Sequence, residues 1–487
     1  MKKIFLSAAL GLSILATSCS KNTVDPGTDP VVTPVNGDVV TVTGDITANT
    51  TWTADKIYLL KGNVFVTGNV TLTIQPGTLI KGDKATKGAL VITRGSKIDA
   101  TGTADKPIVF TSNVAAGGRS QGDWGGVILL GSAPNNLGNA VPIEGISDAT
   151  DKGKHGGSNA TDNSGVLKYV RIEYAGIPLG PDNEINGLTF GSVGSGTTIE
   201  YVEVYRSGDD AYEWFGGTVN AKHLLAIDTW DDDFDTDNGF SGKIQFGLAQ
   251  RLASTADVSG SNGFESDNNA TGTNGTPQTG AVFSNMTILG PKEAASFTAI
   301  NANFQHGAQI RRNSAISILN SVIAGYTEGI FYDDALPAAP STENSSTNFT
   351  AGRSVFANNL IAASNSKSNQ IKASNATVLG VISPLLTAAN TFSPDLYVEG
   401  TVYADPYKFS PDLAGTVSGR NRAGIPNFTQ VANSPALTGA AFTNAKVTDT
   451  FFEQVAYKGA FGTTDWTTGW ANFNPQVLPY DKPGAVK

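Results

Sequence analysis

Residues 70–129 read VTLTIQPGTLIKGDKATKGALVITRGSKIDATGTADKPIVFTSNVAAGGRSQGDWGGVIL. Four short apolar runs stand out in this stretch: Leu72-Thr73-Ile74, Leu90-Val91-Ile92, Ile108-Val109-Phe110 and Val127-Ile128-Leu129, beginning 18, 18 and 19 residues apart. Turn residues separate them, at Pro76-Gly77, Gly95, Gly102 and Gly125-Gly126. Runs of this length, rich in β-branched residues and bounded by Gly and Pro, are strands. Returning at a step of roughly 20 residues, they predict a solenoid in which each coil covers the apolar face of the last.

The same grammar continues downstream. Tyr169-Val170-Arg171-Ile172 resembles Tyr201-Val202-Glu203-Val204, and Leu225-Ala226-Ile227 repeats Val202-Glu203-Val204 after 23 residues. A third set is Asn285-Met286-Thr287-Ile288, Asn320-Ser321-Val322-Ile323 and Asn358-Asn359-Leu360-Ile361. Asparagine just before each strand predicts a ladder of stacked amides, each satisfying the next. Variable steps suit coils that bulge by loop insertion, so the expected class is all-β, a right-handed parallel β-helix over 39–390. A β-sandwich or a propeller would need hairpin signals that these single strands lack. Pro134 to Gly165, Ser254 to Gly280 and Leu336 to Arg353 read as inserted loops. From 391 to 487 the period fades and aromatics gather (Phe451-Phe452, Tyr457, Phe461, Trp466, Trp470), which predicts an irregular region capping the open end of the solenoid.

The chain begins with Lys2 and Lys3, an apolar stretch from Ile4 to Leu15 and the small residues Ala16, Thr17 and Ser18 before Cys19. That order is a secretory signal, too short for a permanent span. Leu-Ala-Thr-Ser-Cys resembles the lipobox of bacterial lipoproteins, which implies cleavage after residue 18 and attachment of diacylglycerol and acyl lipid at Cys19. Several acyl chains anchor stably where one would not. The expected address is the bacterial outer membrane, with residues 19–38 as a lipidated tether. Cys19 is the only cysteine, so no disulfide supports the fold. Formal net charge is −10, and loss of Lys2 and Lys3 takes it to −12. Such an acidic surface argues against nucleic acid and anionic lipid headgroups as partners.

The segments 70–77 (VTLTIQPG), 102–112 (GTADKPIVFTS), 122–126 (GDWGG) and 457–462 (YKGAFG) resemble those of a family of β-helix surface lipoproteins common in Bacteroidota. The resemblance covers most of residues 40–475. It implies the fold and the envelope location, and no activity.

Function is expected in the acidic stretch. Between Glu200 and Asp237 lie eleven carboxylates, opposed only by Arg206 and Lys222. The 23-residue step sets Asp209 over Asp232 and Asp210 over Asp233 in neighbouring coils, about 4.8 Å apart. Carboxylates that close must take up protons or share a cation. Calcium suits Asp209, Asp210, Asp232, Asp233 and Asp235, because it accepts six to eight oxygens in irregular geometry. Clustered His or Cys, the zinc preference, does not occur. A solvated acidic turn is the plainer alternative. Tyr205, Tyr212, Trp214, Trp230 and Phe234 lie beside the ridge, with Arg206, as a carbohydrate groove requires, although Trp and Phe in such turns more often pack as covers over the core. The function expected is binding or organising extracellular polymers, acidic or neutral polysaccharides first. A polysaccharide lyase or glycoside hydrolase acting at the Asp209–Asp237 ridge is the second reading, and a purely structural surface protein the third. For a lyase, Arg206 or Arg171 would be a poor base, its pKa lying above 12. Ser-Gly-Asp-Asp (207–210) resembles the Gly-Asp-Asp of polygalacturonases, but their other motifs do not occur. His155, His223 and His306 read as ordinary turn or surface residues, with no nucleophile motif around them.

Overall fold

The computed structural model describes residues 38–146, 151–180, 183–336, 343–363, 370–408 and 424–487. The signal, Cys19 and the tether up to residue 37 lie outside the described residues. Between Val39 and Ser393, 27 of the described strands join one continuous sheet, wound into a right-handed parallel β-helix. Two short antiparallel pairs (Val141–Pro142 with Lys154–His155, Pro178–Gly180 with Asn183–Glu184) stand apart from it. Each full coil contributes to three parallel stacks. The first runs through Thr50–Trp52, Thr71–Ile74 and Lys97–Thr101 to Phe356–Ala357; the second through Leu79–Gly82, Ile108–Ser112 and Thr287–Leu289 to Thr391–Ser393. The third passes through Ala89–Ile92, Gly126–Leu130, Leu188–Val193, Tyr212–Gly217, Phe234–Asp237, Phe264–Ser266 and Gln309–Arg311.

The solenoid expectation therefore holds, while the step behind it does not. Leu72 lies in the first stack, Leu90 and Val127 in the third, and Ile108 in the second. True coil partners are Leu72↔Ile98, Leu79↔Val109 and Leu90↔Val127. The near-constant spacing counted strands on different faces. Further on, Val202 pairs with Leu224 and Glu203 with Leu225, a step of 22 rather than 23.

Inward positions alternate along each strand and fill the tube with Val, Ile, Leu and stacked aromatics. The bend between first and second stacks is made by residues with positive φ: Tyr169, Tyr201, His223, Phe246, Asn285, Asn320 and Asn358. Bulky residues enter this left-handed region at a cost of about 1–2 kcal/mol each. Ring stacking offsets it, with centroids 4.5 Å apart for Tyr169–Tyr201, 4.2 Å for Tyr201–His223 and 5.2 Å for His223–Phe246.

The asparagines at the same bend do not satisfy one another. Asn285 accepts from Gln245 at 3.1 Å and donates to Tyr457 O at 2.9 Å, and Asn320 donates to Ala441 O at 3.1 Å. Backbone groups of the C-terminal segment lie against this corner and take the amides. A coil-to-coil relay exists one residue later, where Asn390, Asn359 and Ser321 accept from the backbone N–H groups of Asn359, Ser321 and Met286.

The end of the tube is closed by the helix Ala376–Ala389, which buries Ile382 and Leu386 in the main core. Its start follows from Asn375, whose side chain accepts from the Val378 N–H. The C-terminal segment, expected over that end, instead runs back along the flank. Asp449 pairs with Lys243 at 2.6 Å and Glu453 with Lys222 at 2.8 Å. Trp466 and Trp470 meet the Tyr201 ring edge-on, and Lys487 reaches Asp105 at 3.9 Å near the first coils. Open strand edges favour an end cap in principle, but the stacked rings at the bend offer a longer apolar seam. The expected loop Ser254 to Gly280 also contains a sheet strand, Phe264–Ser266.

One glycine tests the coil geometry. Gly165 has φ of +114°, and a β-carbon there would sit 1.8 Å from Ile98 O. Gly165→Ala is expected to destabilise the chain by about 3 kcal/mol or more, read as a lower denaturant midpoint; an unchanged midpoint would refute this register.

Candidate functional site

The acidic ridge is built by the third stack and the bends leading into it. Period-2 alternation sends Tyr212, Trp214, Phe234 and Phe264 inward, where Tyr212–Phe234 and Phe234–Phe264 stack at 5.6 Å. The residues between them, Glu213, Asp235 and Glu265, then share one outward column, paired Glu213↔Asp235↔Glu265. A second column pairs Phe215 with Asp237, and Asp267 lies one residue beyond the Ser266↔Ile310 pair.

The 22-residue register also moves the partners in the bend. Asp210 adjoins Asp232, accepting its backbone N–H at 2.8 Å, and Asp209 adjoins Asp231. Asp233, expected in the metal set, turns into the core. It is fully buried on Arg251, at 2.9 Å from Nε, and accepts from Tyr326 at 3.1 Å. Asp232 is buried and accepts the Asn262 N–H.

Two carboxylate triads result. Asp209, Asp210 and Asp231 each bring an oxygen within 4.8 Å of the other two, and Asp210, Glu213 and Asp235 do the same. Asp210 is common to both. The second triad is the deeper: Asp210 and Glu213 are buried, Asn186 donates to Glu213, and Asp235 Oδ1 is buried without a hydrogen-bond donor. Burial, then the neighbouring acids, pushes the carboxyls of Asp209, Asp210, Glu213, Asp232 and Asp235 well above the usual range. Burial likewise lifts Asp231 to about 6, Glu265 to about 7 and Asp237 to about 8. Arg311 relieves Glu265 and Asp267 at the far end, and Arg312 pairs with Asp267 at 2.6 Å. Glu265, Asp267 and both arginines were not anticipated from the sequence. The repeated triplets Tyr-Glu-Trp (212–214), Phe-Asp-Thr (234–236) and Phe-Glu-Ser (264–266) are the signal that could have found Glu265.

The shallower triad opens into a cleft of about 470 Å³ lined by Glu184, Asp209, Trp230, Asp231, Asp257 and Ser259. Trp230 is 39% exposed, and its indole N–H donates to Asp257 at 2.9 Å. Ser259 Oγ lies between Asp231 and Asp257, 2.7 Å from an oxygen of each, with its one hydrogen to donate to either. Hydrogen bonds from Ser259 and Trp230 outweigh burial and hold the Asp257 carboxyl below its usual range.

Of the aromatics expected to meet a ligand, only Trp230 is placed to do so. Trp214 is completely buried between Phe190 and Phe240, with centroids at 5.3 Å to each, and Tyr205 packs edge-on against Tyr174. Alternation with Glu213 sends the indole inward. Arg206 lies over the Tyr205 ring and pairs with Asp228 at 3.6 Å. Arg171 is buried under the C-terminal segment, holding Glu173, Tyr480 and Trp470 O, and is no part of the ridge. Of the histidines expected in turns or at the surface, His155 and His306 are buried, while His223 is half-buried in a bend. His155 is 1% exposed and shares a 2.9 Å hydrogen bond with buried Ser192; His306 pairs with Glu328 at 3.1 Å; His223 belongs to the stacked bend. The His155–Ser192 pair, sealed in this way, fills the place of a satisfied core histidine.

The sequence profile of the family described as "Pectate-lyase like beta helix domain" matches residues 44–391. No curated protein matches the chain. Among solved structures, the crystal structure of the Dettilon tailspike protein aligns at 10% identity over 70% of this chain, with a TM-score of 0.23. The chain spans 63% of the length of that tailspike chain.

Proposed function

This chain belongs to the pectate-lyase-like β-helix domain family, and from that premise we propose that it binds and organises an extracellular polysaccharide at the cleft beside Trp230. The observation that carries this is an exposed indole, its N–H fixed by Asp257, at the mouth of a cleft floored by Asp209 and Asp231. A fixed ring offers an apolar platform to a sugar face, and the carboxylates accept from its hydroxyls. The family description, naming a pectate lyase, supports a polysaccharide as partner.

The deep triad Asp210, Glu213 and Asp235 fits calcium. Its donors are all oxygens, and the buried Asp235 Oδ1 lacks the hydrogen bond a buried carboxylate normally has. Asp210, Glu213 and Asp235 would hold the ion, which would neutralise the ridge and fix the coils that carry the cleft. The lipobox-like segment before Cys19 supports export and lipid anchoring at the outer membrane, with residues 19–38 as spacer.

Trp230→Ala is the test. Retention on immobilised polysaccharides should weaken about tenfold or more, as for a central aromatic anchor, with the thermal midpoint unchanged because the ring is half exposed. Equal retention by wild type and variant would remove the cleft from the function.

A further inference from the structure

The charge of the cleft narrows its ligand. Among the described lining residues, Glu184, Asp209, Asp231 and Asp257 are acidic and none is Lys, Arg or His. Of the nearby cations, Arg251 faces inward on Asp233 and meets Asp231 only at its backbone carbonyl, and Arg311 and Arg312 hold Glu265 and Asp267 further along. At Asp231, Oδ2 takes Ser259, while Oδ1, turned out of solvent, finds no hydrogen-bond donor among the described residues. The volume, about 470 Å³, is that of a small-ligand site rather than of a bare ion. The indole beside these carboxylates adds the attraction of an aromatic face for an organic cation.

Resting on the polysaccharide reading above, we infer that the cleft takes a glycan bearing free ammonium groups, of the hexosamine class, its ammonium between Asp209 and Asp231 and its ring against Trp230. A uronate chain has the same sign as the wall and needs a bridging cation to enter. An N-acylated amino sugar fits sterically but brings no charge to these carboxylates. Selection by sign of charge follows from complementarity across a partly desolvated contact.

Calorimetry on the full chain would compare a glucosamine oligomer, its N-acetylated counterpart and a galacturonate oligomer, each with chelator and with millimolar calcium. The glucosamine oligomer should bind with chelator present, about tenfold tighter than the acetylated one, and added salt should weaken it. Asp231→Asn should abolish that preference, and Trp230→Ala should weaken both amino-sugar oligomers, so a folding defect in one variant leaves the other to decide. Equal binding of free and acetylated oligomers, or galacturonate binding that needs calcium and exceeds both, would overturn the inference and leave the polysaccharide reading standing. Binding of no glycan, charged or neutral, would overturn both.

Discussion

Arg251→Ala is expected to cost about 3–5 kcal/mol, the range for breaking a buried ion pair, and to loosen the bend that forms the cleft. Arg251 is buried with Asp233, donating through Nε at 2.9 Å. Its other N–H groups donate to the carbonyls of Thr229 at 2.7 Å and Asn262 at 2.6 Å, and also to Asp231 O. One planar fork thus ties three backbone carbonyls, two in the bend 229–231 and one at Asn262 in the next coil. Truncation strands a carboxylate and three acceptors out of water at once, and each orphan adds its own desolvation penalty. Arg251→Lys keeps the charge but cannot span the same acceptors, so it should recover only part of the loss. Urea denaturation would show the loss, and hydrogen exchange should place the first opening at residues 228–233. An alanine variant within about 1 kcal/mol of wild type would mean the bend is held by something else.

This fork was not legible in the sequence, because all its partners but Asp233 are carbonyls, and carbonyls leave no trace in residue identity. The solenoid was legible from alternating apolar strands and regular turns even though the inferred step was wrong. With three strands in each coil, Leu72, Leu90, Ile108 and Val127 fall at similar intervals on different faces. The ridge was legible as composition and misread in register. A slip of one residue exchanges the two faces of a strand, so a step of 23 instead of 22 gave Asp210 the wrong neighbour and put Asp233 outside. Trp214 could have been placed correctly from alternation alone, since Glu213 beside it must face out if Tyr212 faces in. Glu265 was hidden by its Gly- and Asn-rich surroundings, which resemble a loop although three of their residues continue the sheet.

In chelator, the ridge is expected to contribute about 3 kcal/mol or more of stability at pH 5 that is absent at pH 8. It is read as the difference from a variant without its carboxyls, because burial lowers His155 and His223 to about 4 and these favour the higher pH. The ridge carboxyls bind their protons more tightly folded than unfolded, since burial and neighbouring acids raise them. Protonation therefore favours the fold. The contribution is complete below the unfolded values, 3.8 for Asp and 4.5 for Glu, and is lost as pH climbs through about 6 for Asp231, about 7 for Glu265 and about 8 for Asp237. This is the reverse of the usual salt-bridged carboxylate, which loses stability in acid. Calcium should cancel the loss at pH 8, adding about 2.7 kcal/mol at a hundred times its dissociation constant, because a divalent cation compensates the charge that the protons had removed. At pH 5 it should add much less, since it must first displace protons. Asn at both Asp210 and Asp235 removes two ionisations and two calcium ligands together, so it should flatten the pH profile and abolish the calcium response in the same protein. Thermal melts at the two pH values, with chelator and with millimolar calcium, separate the possibilities. A pH slope without a calcium response would leave a proton-holding ridge and no metal site. A wild-type profile matching that of the double Asn variant and insensitive to calcium would mean that the ridge is solvated more than its burial implies, and both the deep cation site and the proton account would fall together.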